Sequence, residues 1–303
     1  GSIRDSLRIA SSIKIPGKRK VTHVKNMNVA KKEFHIDQQI IKDLSKALAS
    51  FKFNTTKGKK AASAAIELAL SKALTQSTEI DAIAFFTKKF MQVSTGIASM
   101  AEADILEVTK LTSIAINNKL SKLPATNNID WIELAAKVAD ASISGSIRSA
   151  LKVKVSVPRL ARTIAYATAL PYMQNNNFPS TCLIKIAKGI NYGIPYKLIG
   201  NMPSTASDSK APTLIQLLAR NTSEGTVAAA IEANRNFEDV VKASMYAFSS
   251  SLITVAAKRK LGVKKIAQFA KFGARGIIAG GLDASAKNDH PLGKMGVIVL
   301  VKY

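Results

Sequence analysis

The stretch IDQQIIKDLSKALASF, residues 36–51, indicates the fold more clearly than any other part of the chain. Its apolar residues recur at helical spacing on one face, and they are Ile36, Ile40, Ile41, Leu44, Leu48 and Phe51. Such a stripe is typical of an amphipathic helix that buries one side in a core. Comparable stripes continue along the chain, so we predict a mainly α fold.

Capping residues and breaks predict where further helices begin and end. The pairs Thr78 with Asp81, Ser99 with Glu102, and Asp130 with Glu133 are typical of helix starts. In the helix that follows Asp130, Trp131 is expected to be a core anchor. The other helices are expected at about 59–75, 159–170, 180–189, 212–219, 224–234, 236–257 and 263–273.

Two irregular segments suggest how the chain is divided. The alternating run Leu151–Val157 is expected to be a strand or an extended linker between two helical lobes. Residues 274–294 are rich in glycine and are expected to be irregular. We therefore predict a flexible N-terminal arm (1–33), an N-terminal helical lobe (34–150), a C-terminal helical lobe (151–275) and an extended C-terminal arm (276–303). No internal repeat is detected.

The composition excludes several classes of protein. The chain has 303 residues, 47% of them hydrophobic, which is enough to build a core. A single cysteine, Cys182, excludes a disulfide scaffold and a zinc site built from several cysteines. No phosphate-binding loop, dinucleotide-binding fingerprint or hydrolase motif is present. We therefore expect neither an enzyme nor a cofactor.

Charge is the most informative feature of the sequence. Lys and Arg number 44 against 20 Asp and Glu, for a formal net charge of +24. Two windows, Ala141–Ser207 and Val240–Leu282, contain no acid at all. A sustained positive surface fits a polyanion, and basic residues spread over several segments favour nucleic acid over a membrane. The apolar run Ala243–Ala257 is too short and too polar for a membrane span.

The two acid-free windows supply the candidate site residues. Their lysines and arginines are expected to neutralise RNA phosphates, and tyrosines interleaved with the first group suit stacking on unpaired bases. On a helix at about 258–275, a basic stripe runs from Lys260 to Arg275. The predicted RNA-binding residues are Lys152, Lys154, Arg159, Arg162, Tyr172, Lys185, Lys188, Tyr192, Lys197, Lys258, Arg259, Lys260, Lys264, Lys265, Lys271 and Arg275.

Two short segments resemble a known family. The run Val157-Pro158-Arg159-Leu160-Ala161, followed by Ala169-Leu170-Pro171, is similar to a stretch in nucleoproteins of plant-infecting, segmented negative-strand RNA viruses of bunyavirus type. The emaravirus motif Asn-Arg-Leu-Ala reads Pro158-Arg159-Leu160-Ala161 here, with proline in place of asparagine. The run Leu261-Gly262-Val263-Lys264-Lys265 resembles a Gly-Val-Lys-Lys stretch of tospovirus nucleoproteins.

This resemblance implies a two-lobed helical nucleoprotein that holds single-stranded genomic RNA in a basic groove. It implies Arg159, Lys264 and Lys265 as groove residues, terminal arms that link protomers into homo-oligomers, and the viral polymerase as a further partner. The implied locations are the virion and the host cytoplasm. The alternatives are the coat protein of a filamentous positive-strand plant virus and a basic cellular scaffold or membrane-surface protein.

Overall fold

A computed structural model describes residues 34–123, 129–201 and 211–288. The predicted N-terminal arm and residues 289–303 of the predicted C-terminal arm lie outside the described residues. Within the described ranges the chain forms helices and turns but no β-strand, so the prediction of a mainly α fold is confirmed. The helices are α1 (Gln38–Ala49), α2 (Thr56–Leu74), α3 (Ile80–Met100), α4 (Ile105–Leu120), α5 (Trp131–Lys152), α6 (Val157–Gln174), α7 (Ser180–Gly200), α8 (Ala211–Glu232), α9 (Phe237–Lys258) and α10 (Val263–Lys287).

Side-chain caps explain where several helices begin. The carboxylate of Asp130 accepts the backbone N–H groups of Ile132 and Glu133, so the predicted start of α5 is confirmed. The predicted start at Ser99 is wrong, because α3 continues through that residue and Asp104 caps α4 instead. The predicted cap at Thr78 is also displaced, since α3 begins after Glu79 without a side-chain cap.

Helices two positions apart in the chain stack side by side and run parallel. Gly189 of α7 lies against Ile132 of α5, and Gly193, one turn later, lies against Ala136. Every helix–helix contact among the described residues joins helices one or two positions apart, and the pairs two apart dominate. The odd-numbered helices therefore form one layer and the even-numbered helices a second layer, as in α-solenoid proteins.

The turns between the two layers repeat one geometry. The connections after α3, α5, α8 and α9 each contain four residues, and the second residue has a positive φ. These second residues are Glu102, Lys154, Asn234 and Lys260. In the turn after α5, the N–H of Val155 donates to the carbonyl of Ala150, the bond that defines a Schellman motif. The geometry of these turns therefore repeats, although no repeat is detected in the sequence.

Glycines that were expected to break helices lie instead at helix–helix contacts. A Cβ on Gly276 would stand 2.3 Å from the carbonyl oxygen of Gln216, and one on Gly280 would stand 2.1 Å from that of Arg220. Backbones this close tolerate no side chain. The prediction that 274–294 is irregular is wrong as far as Lys287, because α10 continues through these glycines. The predicted boundary at 275/276 falls inside the same helix.

The structure also corrects three other predicted interruptions of helices. Helix α7 continues past Gly189 to Gly200, and α8 joins the two helices predicted at 212–219 and 224–234. The run Leu151–Val157 is not a strand but the end of α5, a Schellman turn and the start of α6. The described residues from Phe34 onward form one compact unit, and the division into two lobes stays a prediction.

Candidate nucleic-acid interface

The fold places parts of the two acid-free windows side by side. The first window supplies α6 and α7, and the second supplies most of α9 and α10. In the odd layer α7 packs directly on α9. In the even layer α8, which carries Glu224 and Glu232, lies between α6 and α10. A helix that carries acids therefore separates the two windows in the even layer, whereas in the odd layer the two windows are in direct contact.

Tyrosines and lysines occupy the line of contact between α7 and α9, which we call the α7/α9 seam (Lys188, Tyr192, Tyr196, Tyr246, Thr254 and Lys258). The rings of Tyr192 and Tyr196 are stacked, with centroids 5.6 Å apart and planes 12° from parallel. The ammonium of Lys258 lies 4.7 Å from the Tyr196 ring centroid and donates to its hydroxyl. This hydrogen bond is the main cause that raises the pKa of Lys258, so its positive charge persists to higher pH.

The other end of the α7/α9 seam has the same chemistry. The ammonium of Lys188 lies 5.1 Å from the ring centroid of Tyr246, a side chain that is 67% exposed. Between these two cation–ring pairs, the hydroxyl of Tyr192 lies 3.4 Å from that of Thr254. The positions 188, 192 and 196 on α7, and 246, 254 and 258 on α9, follow intervals of four or eight residues. Each set therefore lies along one side of its helix.

The contact between α8 and α10, which we call the α8/α10 seam, carries ion pairs instead. Glu224 is only 7% exposed, and its carboxylate lies 2.5 Å from the ammonium of Lys287 on α10 and 3.2 Å from the guanidinium of Arg162 on the other neighbour, α6. Arg220 forms a 2.5 Å pair with Asp283, and this hydrogen bond is the main cause that raises the pKa of Arg220. The glycines Gly276 and Gly280 bring the two backbones into contact along this seam.

A tyrosine of the even layer provides a direct comparison. The ammonium of Lys110 lies 4.9 Å from the Tyr166 ring centroid, much as Lys258 lies on Tyr196. However, the hydroxyl of Tyr166 donates to the carboxylate of Glu232 at 2.5 Å. Burial and this hydrogen bond raise the pKa of Tyr166. The carboxylate of Glu232 would therefore repel a phosphate that approaches this ring.

Tyr172 is the predicted site residue that the structure places in the core. Its side chain is 1% exposed and packs edge-on against Trp131 and Phe178, with centroids 6.0 and 5.5 Å away. Burial raises the pKa of its phenol. Tyr172 is therefore not available to stack on a base, whereas Trp131 is the core anchor that the sequence predicts.

Three predicted cations already have partners in the fold. Arg162 pairs with Glu224, and Lys197 lies 3.5 Å from the carboxylate of Asp140. The guanidinium of Arg259 donates to the carbonyl of Ile199 near the end of α7, where cations stabilise the helix dipole. These contacts give each residue a structural role.

Apart from Lys188, which is half-buried in the α7/α9 seam, the remaining predicted cations are exposed at several places. Two residues, Lys154 and Lys260, are the positive-φ residues of equivalent turns, so Lys260 does not belong to the α10 stripe. The predicted cations Lys264, Lys265 and Lys271 all precede the first buried residue of α10, which is Gly273. The exposed cations are Lys152, Lys154, Arg159, Lys185, Lys258, Lys260, Lys264, Lys265, Lys271 and Arg275.

Sequence reasoning did not select Tyr196, Tyr246 and Thr254 as site residues. For Tyr246 and Thr254, the signal that could have found them is their spacing from Lys258 on a helix, by twelve and four residues. This spacing became informative only with the knowledge that α9 packs beside α7, because the faces of a helix are equivalent until a neighbour is known.

Two further observations bear on other functions. Helix α9 is long and apolar enough to cross a membrane by length and composition, with a mean hydropathy of 1.3 over a window that is half buried. It exceeds the 15-residue run considered in the sequence, and the expectation of no membrane span stays untested. Within residues 34–123, 129–201 and 211–288, no three His, Cys, Asp or Glu side chains are grouped to hold a metal ion.

Comparisons of the chain with protein-family models, with curated proteins and with solved structures found no significant match.

Proposed function

We propose that this protein binds single-stranded RNA without sequence specificity and coats it as a viral nucleoprotein. The observation that carries the proposal is the α7/α9 seam, where lysines lie on tyrosine rings instead of on carboxylates. Lysines in this state can exchange their ring contacts for phosphates without breaking an ion pair. Tyrosine rings and cations together are the means by which proteins hold single strands of any sequence.

Exposed cations outside the seam are a second support for the proposal. Arg159 begins α6, and Lys264 and Lys265 begin α10, and all three are exposed. They are the residues to which the family resemblance assigns the RNA groove. As a genome-coating protein, the chain would act in the virion and the host cytoplasm and would contact the viral polymerase.

The proposal is tested by fluorescence anisotropy with nuclease-treated protein, two unrelated single-stranded RNAs and one duplex across a salt series. We expect equal affinity for the two single strands, weaker binding of the duplex and an affinity that falls steeply with salt. Binding that is weak or insensitive to salt would contradict the proposal. Anionic liposomes that outcompete RNA would instead favour a membrane-surface protein.

Matched charge variants locate the binding surface. Replacing Lys188 and Lys258 together by glutamate should weaken binding of all RNAs alike. The control replaces Lys57 and Lys60 by glutamate, because both are exposed on α2, far along the stack from α7 and α9. Equal losses in the two variants would show that net charge alone drives binding, and the α7/α9 seam would lose its role.

Self-assembly through the terminal arms is a separate prediction, because residues 1–33 and 289–303 lie outside the described residues. Deleting residues 1–33 should reduce oligomer size in light scattering while leaving the helical content of the remaining chain unchanged. Oligomers of unchanged size would contradict arm exchange. A structure of the RNA complex then separates the nucleoprotein from the filamentous coat protein, since two lobes that clamp the RNA would favour the nucleoprotein.

A further inference from the structure

We infer that the α7/α9 seam binds unpaired nucleobases on the rings of Tyr196 and Tyr246, in the places that Lys258 and Lys188 occupy in the free protein. The inference rests on the proposed function and specifies its ligand, since it assigns these rings to bases and the two lysines to the phosphates that follow. Binding would therefore be an exchange, in which each ammonium leaves a ring as a base arrives.

One of the two rings is supported by neighbouring residues, and the other is open to solvent. Tyr196 is backed by the parallel ring of Tyr192, whose hydroxyl lies next to Thr254 on the neighbouring helix. A ring supported in this way presents a fixed face at little cost in side-chain entropy. Tyr246 is the most exposed of the three tyrosines and offers its ring directly to solvent.

The lysines are positioned to move without leaving a buried charge. Lys258 is exposed, and its described contacts are the ring and hydroxyl of Tyr196. Stacking of a base on an aromatic ring is a stronger contact than an exposed cation–ring pair, so the exchange favours the base. The released ammonium then gains a phosphate oxygen, which is a stronger acceptor than a phenol.

Local charge makes the pair of Tyr196 and Lys258 more suitable for binding RNA than the similar pair of Tyr166 and Lys110 in the even layer. Helix α7 contains no acid, and α9 contains acids only in its first turn, at Glu238 and Asp239. At Tyr166, in contrast, the carboxylate of Glu232 binds the hydroxyl and would repel a phosphate attached to any stacked base. Tyr166 with Lys110 is therefore a built-in control for Tyr196 with Lys258.

The test compares a short single-stranded RNA with an abasic strand of the same length, which keeps the phosphates but has no bases. For the wild-type protein we expect at least a tenfold preference for the strand with bases, since each stacked base contributes roughly a factor of ten. The double variant Y196L/Y246L should lose this preference and keep the wild-type affinity for the abasic strand. Y196F/Y246F should keep both, because the rings remain.

Three outcomes separate the possibilities. Wild-type protein that binds both strands equally well overturns base stacking and leaves the proposed function standing. Wild-type protein that binds neither strand overturns the proposed function itself. If the control Y166L loses the preference as fully as Y196L/Y246L, the assignment to this seam is wrong.

Two further measurements do not depend on the leucine variants folding. The variant K188Q/K258Q should weaken binding of both strands by the same factor and keep the preference for bases, because the rings are free. A lost preference would overturn the exchange. Ultraviolet cross-linking of bromouridine RNA to wild-type protein should label the peptides that contain Tyr196 and Tyr246, and labelling confined to other peptides would contradict the assignment.

Discussion

The α7/α9 seam and the α8/α10 seam share one helix arrangement but differ in the residues that fill the contact. In both, two parallel helices that are two positions apart in the chain pack side by side. At the α8/α10 seam, glycines bring the backbones together, and Glu224 and Asp283 neutralise the cations nearby. At the α7/α9 seam, tyrosines and lysines fill the contact.

This difference separates a structural contact from a candidate binding surface. Ion pairs that cross between helices satisfy both charges within the protein and leave little for a ligand. Lysines that lie on tyrosine rings keep their charge available, because a ring offers only a weak contact. The stacking of helices therefore supplies the frame, and the choice of small or aromatic residues decides which seam can bind a ligand.

The largest effect is expected from a methyl group in the α8/α10 seam. In Gly280→Ala, the added Cβ would stand 2.1 Å from the carbonyl oxygen of Arg220, so the helices must separate. We expect the free energy of unfolding to fall by about 3 kcal/mol, measured by urea denaturation.

The control is the same substitution at Gly200 in α7, where the nearest atom, on Val255, is 4.0 Å away. Gly200→Ala should change the stability by less than about 0.5 kcal/mol. Equal losses at the two positions would show that the seams do not differ in how closely their backbones approach.

The second prediction concerns the buried carboxylate of the α8/α10 seam. Glu224→Gln removes the negative charge shared by Arg162 and Lys287 while keeping the shape of the side chain. We expect a loss of about 1–2 kcal/mol in the free energy of unfolding, because two cations lose their common partner. Glu232→Gln, at an exposed carboxylate, should cost less. A larger loss at Glu232 would contradict the structural role of the Glu224 pairs.

The third prediction converts the α7/α9 seam toward the charge state of the other seam. Thr254→Glu places a carboxylate four residues before Lys258, within reach on the same side of α9. RNA affinity should fall roughly fivefold, equivalent to about 1 kcal/mol, with little change in stability. Ser45→Glu on α1 makes the same change in net charge and should weaken binding less. An equal reduction would show that position is unimportant.

The smallest effect is expected from the titration of Tyr166. Burial first, and the hydrogen bond to Glu232 second, raise the pKa of this phenol. The stability linked to the neutral phenol is therefore present below about pH 10, the ordinary tyrosine value, and is lost as the pH rises through the raised pKa. Ultraviolet titration should show that Glu232→Gln moves one late phenol to lower pH. An unchanged titration curve would contradict the hydrogen bond.

Much of the helical fold could be predicted from the sequence, because local signals determine it. The stripe from Ile36 to Leu48 is buried as expected, and Asp130 caps α5. The errors come mostly from glycine. Gly189 and Gly276 look like helix breaks in a single sequence, and only the backbone of a neighbouring helix explains why a side chain is excluded there.

The candidate site was predictable in composition but not in arrangement. The acid-free windows contain Lys188, Tyr192 and Lys258, three predicted site residues that meet at the α7/α9 seam. Whether a cation meets an acid depends on which helix lies next to it, and this is why Arg162 is paired while Lys258 lies on a ring. Tyr172 shows the same limit, since its side of α6 faces the core.

The restriction of contacts to helices that are close in the chain also has a mechanical consequence. Each described helix contacts only helices one or two positions away along the chain, so no long-range contact ties one end of the stack to the other. Tension applied between residues 34 and 288 would therefore detach helices from the ends, one after another, and would not shear the whole body at once. A chain pulled from its ends would therefore lengthen in steps, by about one helix at a time.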